Sequence, residues 1–143
     1  MKLDRIDHIV LTVRDIAATC AFYTRVLGMR AETFGPGRTA LHFGAQKINL
    51  HQAGREFEPK ALRPTPGSGD LCFITPVPLA EVQAHLAACG VAILEGPARK
   101  TGAAGPLASL YLRDPDGNLI EIANELADPT PGPSPAGRGE QLP

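Results

Sequence analysis

Five polar side chains stand in apolar, strand-like frames and are the ones that could do chemistry. They are His8 in Ile6 to Val13, Asn49 and His51 in Ile48-Asn49-Leu50-His51, Asp70 ahead of Leu71-Cys72-Phe73-Ile74, and Glu121 in Leu119-Ile120-Glu121-Ile122. Imidazole and carboxylate together form a donor set suited to divalent iron, manganese, nickel or zinc. A glutamate among leucine and isoleucine is costly to bury without a cation or several hydrogen-bond donors. His8, His51 and Glu121 are therefore the candidate metal ligands, with Asp70 and Glu121 the candidate catalytic carboxylates. Asn49 and His51 are two apart and share a strand face, which leaves open which of them answers to Glu121. The blander alternative is that strand alternation turns Glu121 to solvent and that the histidines are satisfied structural residues. Tyr23, Tyr111, Lys47 and Arg113 could offer donors to a bound anion, His42 could line a cleft, and His85 falls at a solvated helix position.

The elements that must position these groups come in two copies. One ungapped shift lays His8 over Asp70 and Gly28 over Gly90. Each copy reads as βαβββ. In the first, residues 5 to 13 alternate so that Ile6, His8, Val10 and Thr12 share one face. A helix follows from Ile16 to Leu27, capped by Asp15, with Ile16, Cys20, Tyr23 and Leu27 as its apolar stripe and Gly28 as its stop. Strands are expected at Met29 to Phe34, Arg38 to Phe43 and Lys47 to Gln52, with turns at Gly35-Pro36-Gly37 and Gly44-Ala45. Ala53 to Gly69, rich in proline and charge, reads as a linker. The second copy offers a strand from Asp70 to Thr75 and a helix from Pro78 to Cys89 striped by Leu79, Val82, Leu86 and Cys89. A strand from Val91 to Glu95, a Gly/Ala-rich loop from Gly96 to Gly105, and a hairpin of Leu107 to Arg113 and Leu119 to Ala123 around Asp114-Pro115-Asp116-Gly117-Asn118 complete it. A unit of this size cannot bury its own apolar face, so the two copies are expected to pair with the functional cleft between them.

Composition narrows the partners. With 143 residues, 14 basic against 15 acidic side chains and a net charge of -1, the chain lacks the basic stripe that nucleic acid or an anionic membrane would demand. A small-molecule substrate is the expected partner, with no nucleic acid and no membrane. No run of apolar residues is long enough to span a bilayer and no signal-peptide core opens the chain, so a cytoplasmic location is expected. Cys20, Cys72 and Cys89 form no CxxC pair and read as core thiols. The stretch from Ala127 to Pro143, rich in proline and glycine, is expected to be disordered. No nucleophile elbow, phosphate-cradling loop or HExxH helix occurs, which disfavours covalent serine chemistry and nucleotide hydrolysis.

Asp7-His8-Ile9-Val10-Leu11-Thr12-Val13-Arg14-Asp15, Phe22-Tyr23-Thr24-Arg25-Val26-Leu27-Gly28-Met29 and Arg113-Asp114-Pro115-Asp116-Gly117-Asn118-Leu119-Ile120-Glu121-Ile122 strongly resemble the vicinal oxygen chelate superfamily of glyoxalases, bleomycin-resistance proteins and extradiol dioxygenases. Within it, Gln46-Lys47-Ile48-Asn49-Leu50-His51 and Pro64-Thr65-Pro66-Gly67-Ser68 look like the glyoxalase domain-containing protein 5 subgroup. The resemblance implies an α+β fold of paired βαβββ modules forming an open, cupped β-barrel. One domain over residues 1 to 126 would hold module one at about 4 to 52, the linker at 53 to 69 and module two at 70 to 126. It also implies a divalent metal held from the first and last strands of each module, and a homodimer. His8 and Glu121 match the family's first and last ligands. Where module one's last strand often offers Glu or Gln this chain has Asn49, with His51 two residues on, and where module two's first strand often offers His it has Asp70. The function so implied is metal-dependent lyase, isomerase or ring-cleaving dioxygenase chemistry on vicinal oxygens of a small metabolite. The alternative is metal-free binding of a drug or metabolite, as in the bleomycin-resistance branch.

Overall fold

The computed structural model describes residues 1 to 127, so the tail expected to be disordered lies, from residue 128 on, outside the described residues. The chain divides into two compact units, Met1–Gly69 with Asp114–Asn118, and Asp70–Arg113 with the chain from Leu119 onward. The first unit runs β1 (His8–Val13), α1 (Ile16–Arg25), β2 (Arg30–Phe34), β3 (Arg38–Phe43) and β4 (Gln46–Gln52). The second runs β5 (Asp70–Ile74), α2 (Leu79–Ala88), β6 (Glu95–Thr101), β7 (Pro106–Arg113) and β8 (Leu119–Glu125). Their four-stranded sheets have matching orders, β1-β4-β3-β2 and β5-β8-β7-β6, with the first and last strands of each unit parallel. The repeat read from the sequence is thus a repeat of topology, and the fold is α+β with mixed sheets.

In the first unit Asp15 caps α1 by accepting from the Ala18 N–H at 3.1 Å, satisfying one of the orphan donors of the first turn. Gly28, at φ +67, takes the left-handed position just beyond the helix. Thr19, Tyr23 and Val26 are buried on the α1 side, and Leu11, Val13, Leu41, Ile48 and Leu50 supply the core face of the sheet. Each such aliphatic side chain contributes about 1.5–3 kcal/mol when fully buried. Tyr23 stays compatible with this core because its hydroxyl donates to the Asp114 carboxylate at 2.6 Å. That carboxylate also accepts from the backbone N–H groups of Asp116 and Asn118, both at 2.9 Å, and from Asn118 Nδ2 at 2.7 Å. Asn118 Oδ1 in turn accepts from the Gly69 N–H at 2.6 Å, and Asp116 accepts from the Arg14 backbone N–H at 3.0 Å. The Asp-Pro-Asp-Gly-Asn turn is therefore more than a reversal of direction: it is a buried polar knot in which the Asp114 carboxylate accepts four hydrogen bonds.

In the second unit α2 has no side-chain cap of its own, and Pro78 occupies the N-cap rather than the first helical position. Asn124 on β8 replaces the cap, accepting from the Leu79 N–H at 2.9 Å and donating to the Thr75 and Val77 carbonyls. Leu79, Leu86, Leu110, Leu112, Ile120 and Ile122 form the core, while Val82 and Cys89 are only half-buried. The sequence reading misplaced β6. The strand is Glu95–Thr101, where a loop was expected, and 91 to 94 carry no strand. Pro97 argues against a central strand, but β6 is the sheet edge, and its pairing with β7 breaks register between Glu95 and Ala98. The three cysteines are free thiols and none is fully buried. Cys72 is exposed, because alternation between Leu71 and Phe73 turns it to the opposite face from the core. Among the described residues no helix is long and apolar enough to cross a membrane.

Candidate functional site

Pairing partners in adjacent strands point to the same side of a sheet, so the registers fix which residues share a face. In the first unit His8 pairs with Lys47, Val10 with Asn49 and Thr12 with His51. Lys47 pairs with His42 and Asn49 with Ala40 on β3, and Phe34 of β2 pairs with Arg38. The face opposite α1 is thus lined by His8, His42, Lys47, Asn49, His51, Arg38 and Phe34. Alternation alone produces this polar face, since every second residue of these strands belongs to the core.

Each histidine on it has a distinct environment. His8 is exposed, with Nδ1 2.8 Å from the Asp7 carboxylate, and this hydrogen bond holds the Asp7 carboxyl below its ordinary range. A ring nitrogen tied to a carboxylate in this way leaves Nε2 as the outward lone pair. His51 is only 2% exposed, packs edge-on against the Phe57 ring at 5.7 Å and turns Nε2 toward Arg38 Nη2 at 3.5 Å. Burial first, and the Arg38 charge second, push its pKa below the usual histidine value, so the ring is neutral at pH 7. His42 Nε2 lies 3.4 Å from Glu32. Asn49 is buried and its Oδ1 has no hydrogen-bond partner among the described residues.

In the second unit Asp70 pairs with Leu119 and Glu121 pairs with Cys72 and Tyr111. Asp70, Cys72, Tyr111 and Glu121 therefore share the face opposite the core, with Asp70 and Glu121 diagonal neighbours on parallel strands. Glu121 is half-buried beside a pocket of about 380 Å³ whose walls include Cys72, Ile74, the 102 to 105 loop and Leu107. Partial burial pushes the Cys72 thiol up to about 11, with the Glu121 charge adding to it, and the Tyr111 phenol is raised for the same two reasons.

The registers decide between Asn49 and His51. Glu121 stands opposite the residue two past Asp70, and Asn49 stands opposite the residue two past His8, so Asn49 is the repeat counterpart of Glu121. His51 corresponds instead to Ala123. His8 and His51 are also offset by four residues along paired parallel strands, roughly 13 Å along the strand direction. The Arg38 guanidinium in front of His51 Nε2 opposes a cation there as well. Carboxylate and imidazole side chains such as these are suitable donors for a divalent ion by their chemistry. Among the described residues, however, no three His, Cys, Asp or Glu side chains are gathered as a metal-holding group. Arg38, Phe34 and Phe57 were missed as site residues. Arg38 was legible, being two residues before Ala40 and four before His42 on one strand face, whereas nothing in the 53 to 69 segment marks Phe57.

Residues 5–122 match the profile of the Glyoxalase/Bleomycin resistance protein/Dioxygenase superfamily. The chain belongs to this superfamily. The virulence protein STM3117 of Salmonella typhimurium is 61% identical over 123 residues, covering 86% of this chain and 85% of that protein. Its crystal structure superposes with a TM-score of 0.87 at 60% identity, covering 88% of this chain and 100% of that one. The glyoxalase domain-containing protein RDO1 of Mycosarcoma maydis is 56% identical over 124 residues, 87% of this chain and 70% of that protein. A structure from the mobile metagenome of V. Pseudocholerae gives a TM-score of 0.87 at 55% identity, covering 89% of this chain and 98% of that one. Superfamily membership accounts for the paired βαβββ topology, and the superfamily's own description spans both enzymes and binding proteins.

Proposed function

We propose that this superfamily member is an enzyme acting on a small oxygenated metabolite, with Glu121 as the group that moves a proton. The observation that carries this is the setting of Glu121. A carboxylate within Leu119-Ile120-Ile122 is turned away from the core, beside a pocket, between a thiol and a phenol. Those neighbours keep their protons at neutral pH, so Glu121 has two potential donors beside it. Such a carboxylate is placed to accept a proton from a carbon or hydroxyl of a bound molecule and to return it to a neighbouring atom. Asp70, on the same face, orients the molecule through its hydroxyl groups or serves as the second carboxylate of the transfer. Family resemblance assigns His8 and Glu121 as metal ligands, and a divalent ion, when bound, supplies Lewis-acid polarisation of adjacent oxygens. Lyase, isomerase and ring-cleaving chemistry all begin from this polarisation and proton movement.

Metal-free binding is the second reading, favoured by a family description that names bleomycin resistance proteins beside glyoxalases and dioxygenases. Elemental analysis of protein purified without chelator separates the two. The enzyme reading expects about one divalent ion per chain, lost on Glu121→Gln and on His8→Ala. Metal-free protein whose affinity for a ligand is unchanged by both substitutions would overturn it in favour of binding. Screening 2-oxo aldehydes, thioesters and catechols then sorts the reaction class.

A further inference from the structure

The polar face of the first unit carries two cations, Arg38 and Lys47, that form no salt bridge among the described residues. Lys47 Nζ lies 4.1 Å from the Phe34 ring centroid, and the Arg38 guanidinium lies 5.4 Å from the same ring and 4.7 Å from Phe57. The two head groups come from positions well apart along the sheet yet converge on one phenyl ring. Ring faces attract a cation but leave its N–H edges unused. Arg38 is held further by neutral His51, whose Nε2 faces one guanidinium nitrogen at 3.5 Å. A guanidinium fixed between two rings and an acceptor is a fork already in position, so little rotamer entropy remains to be lost on binding.

Carboxylates are nearby, but they are engaged elsewhere. Glu32 is taken by Arg30 at 2.6 Å and by His42 at 3.4 Å, and Glu56 and Glu58 lie 3.8 and 3.1 Å from Lys60. Among the described residues neither Arg38 nor Lys47 forms a salt bridge. Half-buried, unneutralised cations are costly to maintain unless something anionic completes them.

We propose that Arg38 and Lys47, gathered over Phe34, form an anion subsite that binds a carboxylate or phosphoryl group. The fork matches two oxygens of either group, and the ammonium adds a point charge beside it. His51 is a positioning residue here: its Nε2 lies 3.5 Å from Arg38 Nη2. This inference concerns the first unit's polar face alone and gives that face an anionic ligand class.

The test is ¹H–¹⁵N NMR titration of the full chain with acetate, with inorganic phosphate and with neutral acetamide, following the Arg38 Nε–H and the amides of Phe34, Lys47 and His51. Saturable shifts with acetate or phosphate and none with acetamide are expected, and the tighter of the two anions identifies the carboxylate or phosphoryl source. Arg38→Gln should weaken binding by roughly tenfold or more, and Arg38→Lys, which keeps the charge but loses the fork, by less. Lys47→Gln gives a second loss on an independent side chain. His51→Ala should cost less than Arg38→Gln and be partly restored by His51→Gln, which returns an acceptor. Equal shifts with acetamide, absence of saturation, or unchanged affinity in both Arg38→Gln and Lys47→Gln would overturn the subsite. Wild-type protein that is metal-free as purified yet still binds the anion would count against the enzyme reading and leave this one standing.

Discussion

Cys72 is a built-in reporter of the charge on Glu121. The two residues pair across β5 and β8, and the thiol is pushed up to about 11, first by partial desolvation and then by the neighbouring carboxylate. Alkylation proceeds through the thiolate. At pH 8 a thiol with that pKa is about 0.1% ionised, against roughly 10–25% for an ordinary one near 8.5–9, so its reaction with iodoacetamide should be about a hundredfold slower despite its exposure. Glu121→Gln removes the negative charge and lowers the thiol pKa, so Cys72 should react faster at pH 8. Only part of the deficit should return, because desolvation, the larger cause, remains. A divalent cation on Glu121 acts in the same direction, so adding manganese or zinc to the wild-type chain should accelerate alkylation and to the Glu121→Gln variant should not. Site-resolved mass spectrometry of peptides quenched over time supplies the rates without interference from Cys20 and Cys89. Alkylation of Cys72 at the speed of a free thiol, or a rate indifferent to Glu121→Gln, would show that the two side chains do not sense one another and would remove the electrostatic basis for treating Glu121 as an available carboxylate.

Tyr23→Phe deletes one of four donors to the buried Asp114 carboxylate and should cost about 1.5–3 kcal/mol, seen as a melting temperature lower by several degrees; an unchanged melting curve would mean that water replaces the hydroxyl at no loss. His51 should titrate by NMR below the usual 6.5 and move up on Arg38→Gln, since the second cause of its lowered pKa is then gone. Because the unfolded chain takes up that proton first, the contribution of His51 to stability is full above about pH 6.5 and is lost as pH falls toward its native value. Stability that rises on acidification through this range in wild type, and not in His51→Gln, would contradict the sign.

Most of the architecture was legible because it rests on period and punctuation. Alternation in residues 8 to 13, the Asp15 cap, the Gly28 stop and the Asp114 to Asn118 turn each have a local cause, and each acts where it was read. β6 was illegible for the converse reason. Gly96 and Pro97 are loop residues by propensity, and they are tolerated in a strand only because that strand lies at the edge, a property of the whole sheet. Cys72 was misread because Leu71 and Phe73 suggest an apolar run, whereas parity alone decides the face of a single residue.

The candidate site shows the same division. Sequence spacing could say that Asn49 and His51 share a face, but deciding which one answers to Glu121 requires knowing the strand each pairs with and in what register. Once β1 is set against β4 as β5 is against β8, Asn49 takes that place and His51 is released to a different task, packed on Phe57 and turned toward Arg38. The substitution has an electrostatic consequence. At equivalent positions one unit carries a carboxylate and the other a neutral amide, and the unit with the amide is the one whose polar face gathers Arg38 and Lys47. A carboxylate at position 49 would share that face with the two cations and tend to neutralise them. Asparagine leaves their charge available to an anion from outside.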